Sequence, residues 1–116
     1  RKSIGSETTF EKDLHLDKDL DIQLTKVCNR VYDRLQKSNK KAKTLTVKIK
    51  FSDFTQITRS HTLATTLFSN KDLINREAKT LLKSVKIPKS GIRLLGVSLS
   101  NFSTEKALAV QLTLKF

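Results

Sequence analysis

The chain has 116 residues, 23 Lys and Arg against 11 Asp and Glu, a formal net charge of +12 and one cysteine. That length makes a single domain able to bury a core without disulfides or a structural metal, and one cysteine excludes an internal disulfide and agrees with a reducing compartment. No apolar run nears the roughly 18 residues of a membrane span and no signal-peptide pattern opens the chain, so a soluble, cytoplasmic protein with no membrane contact is expected, and the Arg1-Lys2 start without any Met suggests a piece of a longer protein.

Residues 3–10 read as a strand with β-branched Ile4, Thr8 and Thr9. With Ile4 and Phe10 inward, Ser3, Gly5, Glu7 and Thr9 line the opposite face. Residues 13–21 are acidic and turn-like, and Asp17 or Asp19 is placed to cap a helix whose stripe is Leu20, Leu24, Val27, Cys28, Val31 and Leu35. That helix ends near Ser38, and residues 37–43 read as a basic loop.

Residues 43–51, Lys-Thr-Leu-Thr-Val-Lys-Ile-Lys-Phe, alternate strictly. Leu45, Val47, Ile49 and Phe51 leave one face of a strand while Thr44, Thr46, Lys48 and Lys50 leave the other, so one face must be covered and the other stays wet and basic. A turn at Ser52-Asp53 leads to a third strand over 55–63. Its facing is ambiguous because apolar Ile57 and Leu63 share parity with Arg59 and His61, which makes a bulge plausible. Ser69 and Asp72 form a capping-box pattern before a second stripe of Leu73, Ile74, Ala78, Leu81, Leu82 and Val85, and Pro88 and Gly91 stop that helix. In a fourth strand over 92–102, Leu95, Val97 and Leu99 point inward and Leu94, Gly96, Ser98 and Ser100 outward. The order strand, helix, strand, strand, helix, strand predicts an α+β fold, a four-stranded antiparallel sheet with both helices on one face, followed by a C-terminal tail.

The charge is uneven: residues 1–36 carry seven basic and seven acidic side chains, and all of the +12 lies downstream. A polyanion, most simply a phosphate backbone, is the partner this asymmetry favours over small-molecule chemistry. Enzymatic patterns are lacking. His15 and His61 are far apart, Cys28 lies on the buried helical stripe, and no His, Cys or carboxylate spacing suits a metal. Outward Thr, Ser and Gly let backbone N–H groups approach phosphate oxygens, with Lys supplying counter-charge. Aromatic residues are scarce on that face, which disfavours a single-strand RNA-binding sheet and fits duplex backbone binding. A basic RNA-binding or ribosome-associated α/β module remains the alternative.

Arg-Lys-Ser-Ile-Gly at 1–5 with Glu7, Thr9 and Phe10, Lys-Phe-Ser-Asp-Phe at 50–54, Thr-Arg-Ser at 58–60 and Gly-Ile-Arg-Leu-Leu-Gly-Val at 91–97 resemble the little finger, or polymerase-associated domain, of Y-family translesion DNA polymerases of the DinB type. The resemblance covers essentially the whole chain. It implies a non-catalytic little finger at 1–102 that lays its sheet across primer–template DNA without reading sequence, and a tail at 103–116. It also implies that the polymerase carboxylates and their Mg2+ belong to a palm elsewhere in the parent protein, so that this chain holds no cofactor, is inert alone and is a monomer beside its palm, fingers and thumb. The DNA contacts implied are Lys2, Ser3, Gly5, Glu7, Thr9, Lys48, Lys50, Arg59, Ser60, Arg93, Gly96 and Ser98. Some relatives carry arginine at the positions of Leu94 and Ser98, which shifts weight onto Lys48, Lys50 and Arg93. The ending Gln-Leu-Thr-Leu-Lys-Phe resembles the sliding-clamp-binding peptide of these polymerases, with Gln111 orienting and Leu112, Leu114 and Phe116 anchoring; the tail is expected to be mobile until the clamp orders it. A fifth strand is the other reading, since Leu108, Val110, Leu112 and Leu114 also alternate.

Overall fold

The structure, a computed structural model, describes residues 3–14, 17–63, 67–88 and 91–103. Its elements are β1 (Ile4–Leu14), α1 (Asp17–Ser38), β2 (Lys41–Phe51), β3 (Gln56–Thr62), α2 (Lys71–Lys83) and β4 (Ile92–Ser103). The strands form one antiparallel sheet in the order β1-β4-β2-β3, so β4, last in the chain, pairs between β1 and β2. The expected α+β architecture is what the chain adopts. Helix α1 packs on β1 and β4, α2 packs on β2 and β3, and the two helices meet each other.

Both helical stripes and one face of the sheet make a single core. Leu20, Leu24, Val27, Cys28, Val31 and Leu35 of α1 and Ile74, Ala78 and Leu82 of α2 are buried against Leu45, Val47, Ile49, Phe51, Leu95, Val97 and Leu99. Burial of the Cys28 thiol pushes its pKa up to about 12, Lys79 pulling weakly the other way, so it is a packed apolar group and no nucleophile.

Several local expectations are corrected. The strand β1 runs on to Leu14, and α1 begins at Asp17, so Asp19 lies inside the first helical turn, where a carboxylate suits the helix dipole, and not at a cap position. The basic loop at 37–43 shrinks to Asn39 and Lys40 between α1 and β2. Asn39 takes φ 59°, the left-handed turn that commonly closes a helix. The cap of α2 is Asn70, one residue beyond Ser69, whose side-chain oxygen accepts the Leu73 N–H at 2.7 Å. That helix ends at Lys83, short of Pro88, and Val85 is buried beyond its end.

Candidate nucleic-acid interface

The face of the sheet away from the helices is a grid whose rows follow from register. Cross-strand partners share a face, so Gly5, Ser98, Thr46 and Ser60 form one row, Glu7, Gly96, Lys48 and Thr58 the next, and Thr9, Leu94, Lys50 and Gln56 the last. Hydroxyls bond across the strands: Thr46 to Ser60 at 2.7 Å, and Thr44 to Thr62, one row further on, at 2.9 Å. Asn101, at φ 56°, turns its amide to donate to the Thr44 Oγ1 at 2.7 Å. A shallow groove of about 490 Å³ runs over this face, lined by Gly5, Glu7, Thr46, Lys48, Thr58, Gly96 and Ser98 and closed at the β1 edge by Arg34.

Gly96 organises the middle row. A Cβ there would lie 3.2 Å from the Glu7 Cβ and 3.5 Å from both Cβ and Cε of Lys48, so its absence lets the lysine stem cross β4. Lys48 Nζ then donates to Glu7 Oε1 at 2.7 Å. One lysine of the open face is thus already held by a carboxylate. Gly5 is needed for close approach as well, since a Cβ would stand 3.1 Å from Ser98 Cβ and Val97 O.

Gly5, Glu7, Thr9, Lys48, Lys50, Ser60, Gly96 and Ser98 fall on one edge-to-edge surface, as their parity predicts, while Ser3 is exposed just before β1 and outside its pairing. Arg59 does not join them. The pairing of β2 with β3 runs without a shift from Thr44 and Thr62 to Lys50 and Gln56, so there is no bulge, and Arg59 and His61 share the helix side with Val47 and Leu45. An exposed edge strand tolerates those polar groups on the covered side: Arg59 donates to the Thr58 carbonyl at 2.9 Å, and His61 Nδ1 meets Glu77 Oε1 of α2 at 2.5 Å. Arg93 is the extra residue of a bulge, where Lys50 opposes Leu94 but Phe51 opposes Ile92. Lys2 and the peptide Gln111, Leu112, Leu114 and Phe116 lie outside the described residues.

Two features bordering this face are illegible in sequence. Arg30 and Arg34, one turn apart on α1, bond to β1 differently: Arg30 stays on the helix side, where its Nε donates to Ser6 Oγ at 2.9 Å and its Nη2 to Thr8 Oγ1, while Arg34 donates to the Gly5 carbonyl and lines the groove. Only the packing of α1 on β1 reveals them. The other is Phe54, 64% exposed in the β2–β3 turn with the Arg93 guanidinium 4.7 Å from its ring centre. Among the described residues no cluster of three or more His, Cys, Asp or Glu could hold a metal ion, and no helix is long and apolar enough to cross a membrane.

A profile of the impB/mucB/samB family C-terminal domain matches residues 1–114. The chain belongs to this C-terminal domain family. Among its relatives are the DNA polymerase IV of Bacteroides fragilis, 48% identical over 101 residues covering 87% of this chain, and that of Clostridioides difficile, 42% identical over 115 residues covering 98%. The impB/mucB/samB domain spans only 28% and 31% of those two proteins. Its fold matches a solved structure described as a complex of the beta-clamp processivity factor and the little finger domain of PolIV, with a TM-score of 0.72, 23% identity and coverage of 90% of this chain and 92% of that one. It also matches the insertion ternary complex of Dbh DNA polymerase, with a TM-score of 0.75, 20% identity and coverage of 86% of this chain and 28% of that one. The resemblance carried by the sequence motifs is sound: the chain is an impB/mucB/samB C-terminal domain, similar to part of DNA polymerase IV and with the fold of its little finger.

Proposed function

We propose that this little finger grips the phosphate backbone of primer–template duplex without reading sequence, holding substrate for a translesion polymerase whose Mg2+-dependent chemistry resides in the palm of the parent protein. The observation that carries the reading is the open sheet face: three rows made mostly of Ser, Thr, Gly and Lys, uncovered by either helix, in a chain of net charge +12. Short polar side chains allow close approach. As an edge strand, β1 presents alternate backbone N–H groups without a strand partner, and these suit phosphate oxygens. Only one large apolar side chain, Leu94, belongs to the rows, and it is buried.

The test is duplex titration of the 116-residue chain at several salt concentrations. Log affinity should fall with log salt at a slope near 0.9 per neutralised phosphate, with no preference between unrelated sequences. Charge reversal at Lys48 and Lys50 should weaken binding far more than reversal at Lys26 and Lys83, exposed on α1 and α2. Arg34 is unsuitable as a helix control because it lines the groove. Equal losses from both pairs, or no salt dependence, would remove the sheet-face reading.

The same reading extends to tethering. The ending Gln-Leu-Thr-Leu-Lys-Phe and the solved relative described as a clamp complex support a sliding-clamp contact through Gln111, Leu112, Leu114 and Phe116. A few buried apolar anchors would supply most of its energy. Cutting the chain after Val110 should abolish clamp binding in a titration while leaving duplex affinity in place; undiminished clamp binding would place that contact elsewhere.

A further inference from the structure

The turn joining β2 to β3 holds an arrangement that its folding does not require. Phe54 N–H donates to the Phe51 carbonyl at 2.9 Å, Phe51 N–H to the Thr55 carbonyl at 2.9 Å, and Asp53 accepts from both the backbone and the hydroxyl of Thr55. Those bonds close the turn by themselves. Phe54 nevertheless sits at φ 70°, a left-handed conformation that glycine or asparagine adopts readily and a bulky side chain does not. Its ring buries little, being 64% exposed, so core packing does not account for an aromatic residue there.

What the ring does have is a cation. Arg93, pushed out of the regular ladder by the bulge opposite Lys50 and Phe51, lies over it at 4.7 Å. The pair stands just past the last row of the open face, the row of Thr9, Leu94, Lys50 and Gln56, and the Ser52 N–H ties the turn to the Gly91 carbonyl at 3.3 Å. An exposed aromatic ring backed by guanidinium, at the end of a basic phosphate-binding surface, has the chemistry of a base-stacking platform: every base offers a π-face, and the arginine pairs with the accompanying phosphate.

We propose that Phe54, braced by Arg93, stacks an unpaired base where duplex lying on the sheet gives way to single strand, so that this domain prefers a junction to a blunt end. The inference rests on the duplex-binding reading above and adds to it a contact that distinguishes strand state. Stacking is indifferent to base identity, so the preference is for structure and not for sequence.

The test compares a blunt duplex with the same duplex carrying a short overhang that holds 2-aminopurine next to the junction, titrated at one salt concentration. Stacking of one base is worth about 1–3 kcal/mol, so the overhang should bind about five- to 150-fold tighter, with 2-aminopurine fluorescence quenched. Phe54→Asn removes the ring while favouring the left-handed turn, so the fold is retained; a thermal midpoint equal to or above that of the parent chain checks this. The variant should bind both DNAs as the parent chain binds blunt duplex, with an unchanged salt slope. Equal affinity of the parent chain for both DNAs, or an overhang preference that survives Phe54→Asn, overturns the inference and leaves duplex binding standing. Loss of clamp affinity in Phe54→Asn with the overhang preference intact would assign the ring to a protein partner and overturn it too. Failure to bind either DNA would remove both readings together.

Discussion

Glu7→Gln should strengthen DNA binding. In this structure Glu7 Oε1 holds Lys48 Nζ at 2.7 Å over Gly96, so the carboxylate both occupies a lysine and places negative charge where a phosphate would approach. Two unit charges about 4 Å apart interact by about 1 kcal/mol in water and about 4 kcal/mol at an effective dielectric of 20. The side chains of Lys48 and Glu7 are 34% and 51% exposed, which puts the effect near the lower figure. Relief of about 1 kcal/mol corresponds to about fivefold tighter duplex binding. Freeing Lys48 to neutralise one more phosphate should also steepen the salt slope by about 0.9. The backbone of β1 is unchanged by this substitution, so any N–H contact from residue 7 persists. The cost to stability is that of an exposed ion pair, about 0–1 kcal/mol, and urea unfolding followed beside the binding titration controls for it. Unchanged or weaker binding by Glu7→Gln would refute the reasoning and show that the carboxylate itself serves the interface.

Gly5→Val should destabilise the chain by about 1–3 kcal/mol in urea unfolding, because its Cβ would stand 3.1 Å from the Val97 carbonyl, a backbone atom that cannot turn aside; an unshifted midpoint would show that the β1 edge yields. Cys28 should resist thiol reagents in the native state at pH 8 and label only on unfolding, and rapid native labelling would contradict its burial. Because its folded pKa is raised from 9.0 to about 12, its contribution is whole below pH 9 and is lost as pH rises from 9 towards 12; the stability difference between the parent chain and Cys28→Ala should shrink through that window. Asp53 has the opposite sign. Bonds from Thr55 hold its carboxyl below the usual range, so its contribution to the turn is present above the ordinary carboxylate pKa and fades as pH falls through the lowered one, and the stability difference from Asp53→Asn should shrink on acidification.

Periodicity by itself determined most of the core, though not Leu94 and Thr44, which alternation turns outward and neighbouring strands bury. The stripes of α1 and α2 and the alternation of β2 are consequences of 3.6- and 2-residue repeats, which depend on local geometry alone, and so the two-helix, four-strand architecture and the hydroxyl-rich open face were legible before any pairing was known. Helix ends were less legible because neighbouring polar residues, Ser69 and Asn70 or Asp17 and Asp19, compete for one cap, and a one-residue difference costs little in pattern. Everything that depends on which strand lies beside which was decided by tertiary structure. A strand such as β3 with polar side chains on both faces has no pattern to set its register; pairing with β2 alone sends Arg59 and His61 to the helix side and Thr58 and Ser60 to the open one. The bulge that brings Arg93 over Phe54, the lysine that crosses Gly96 to Glu7, and the arginines of α1 that bond to β1 join residues 22 to 41 positions apart. Side chains so distant in sequence leave no periodic trace of one another, and it is only the packing of the sheet and α1 that sets them within hydrogen-bonding and stacking range.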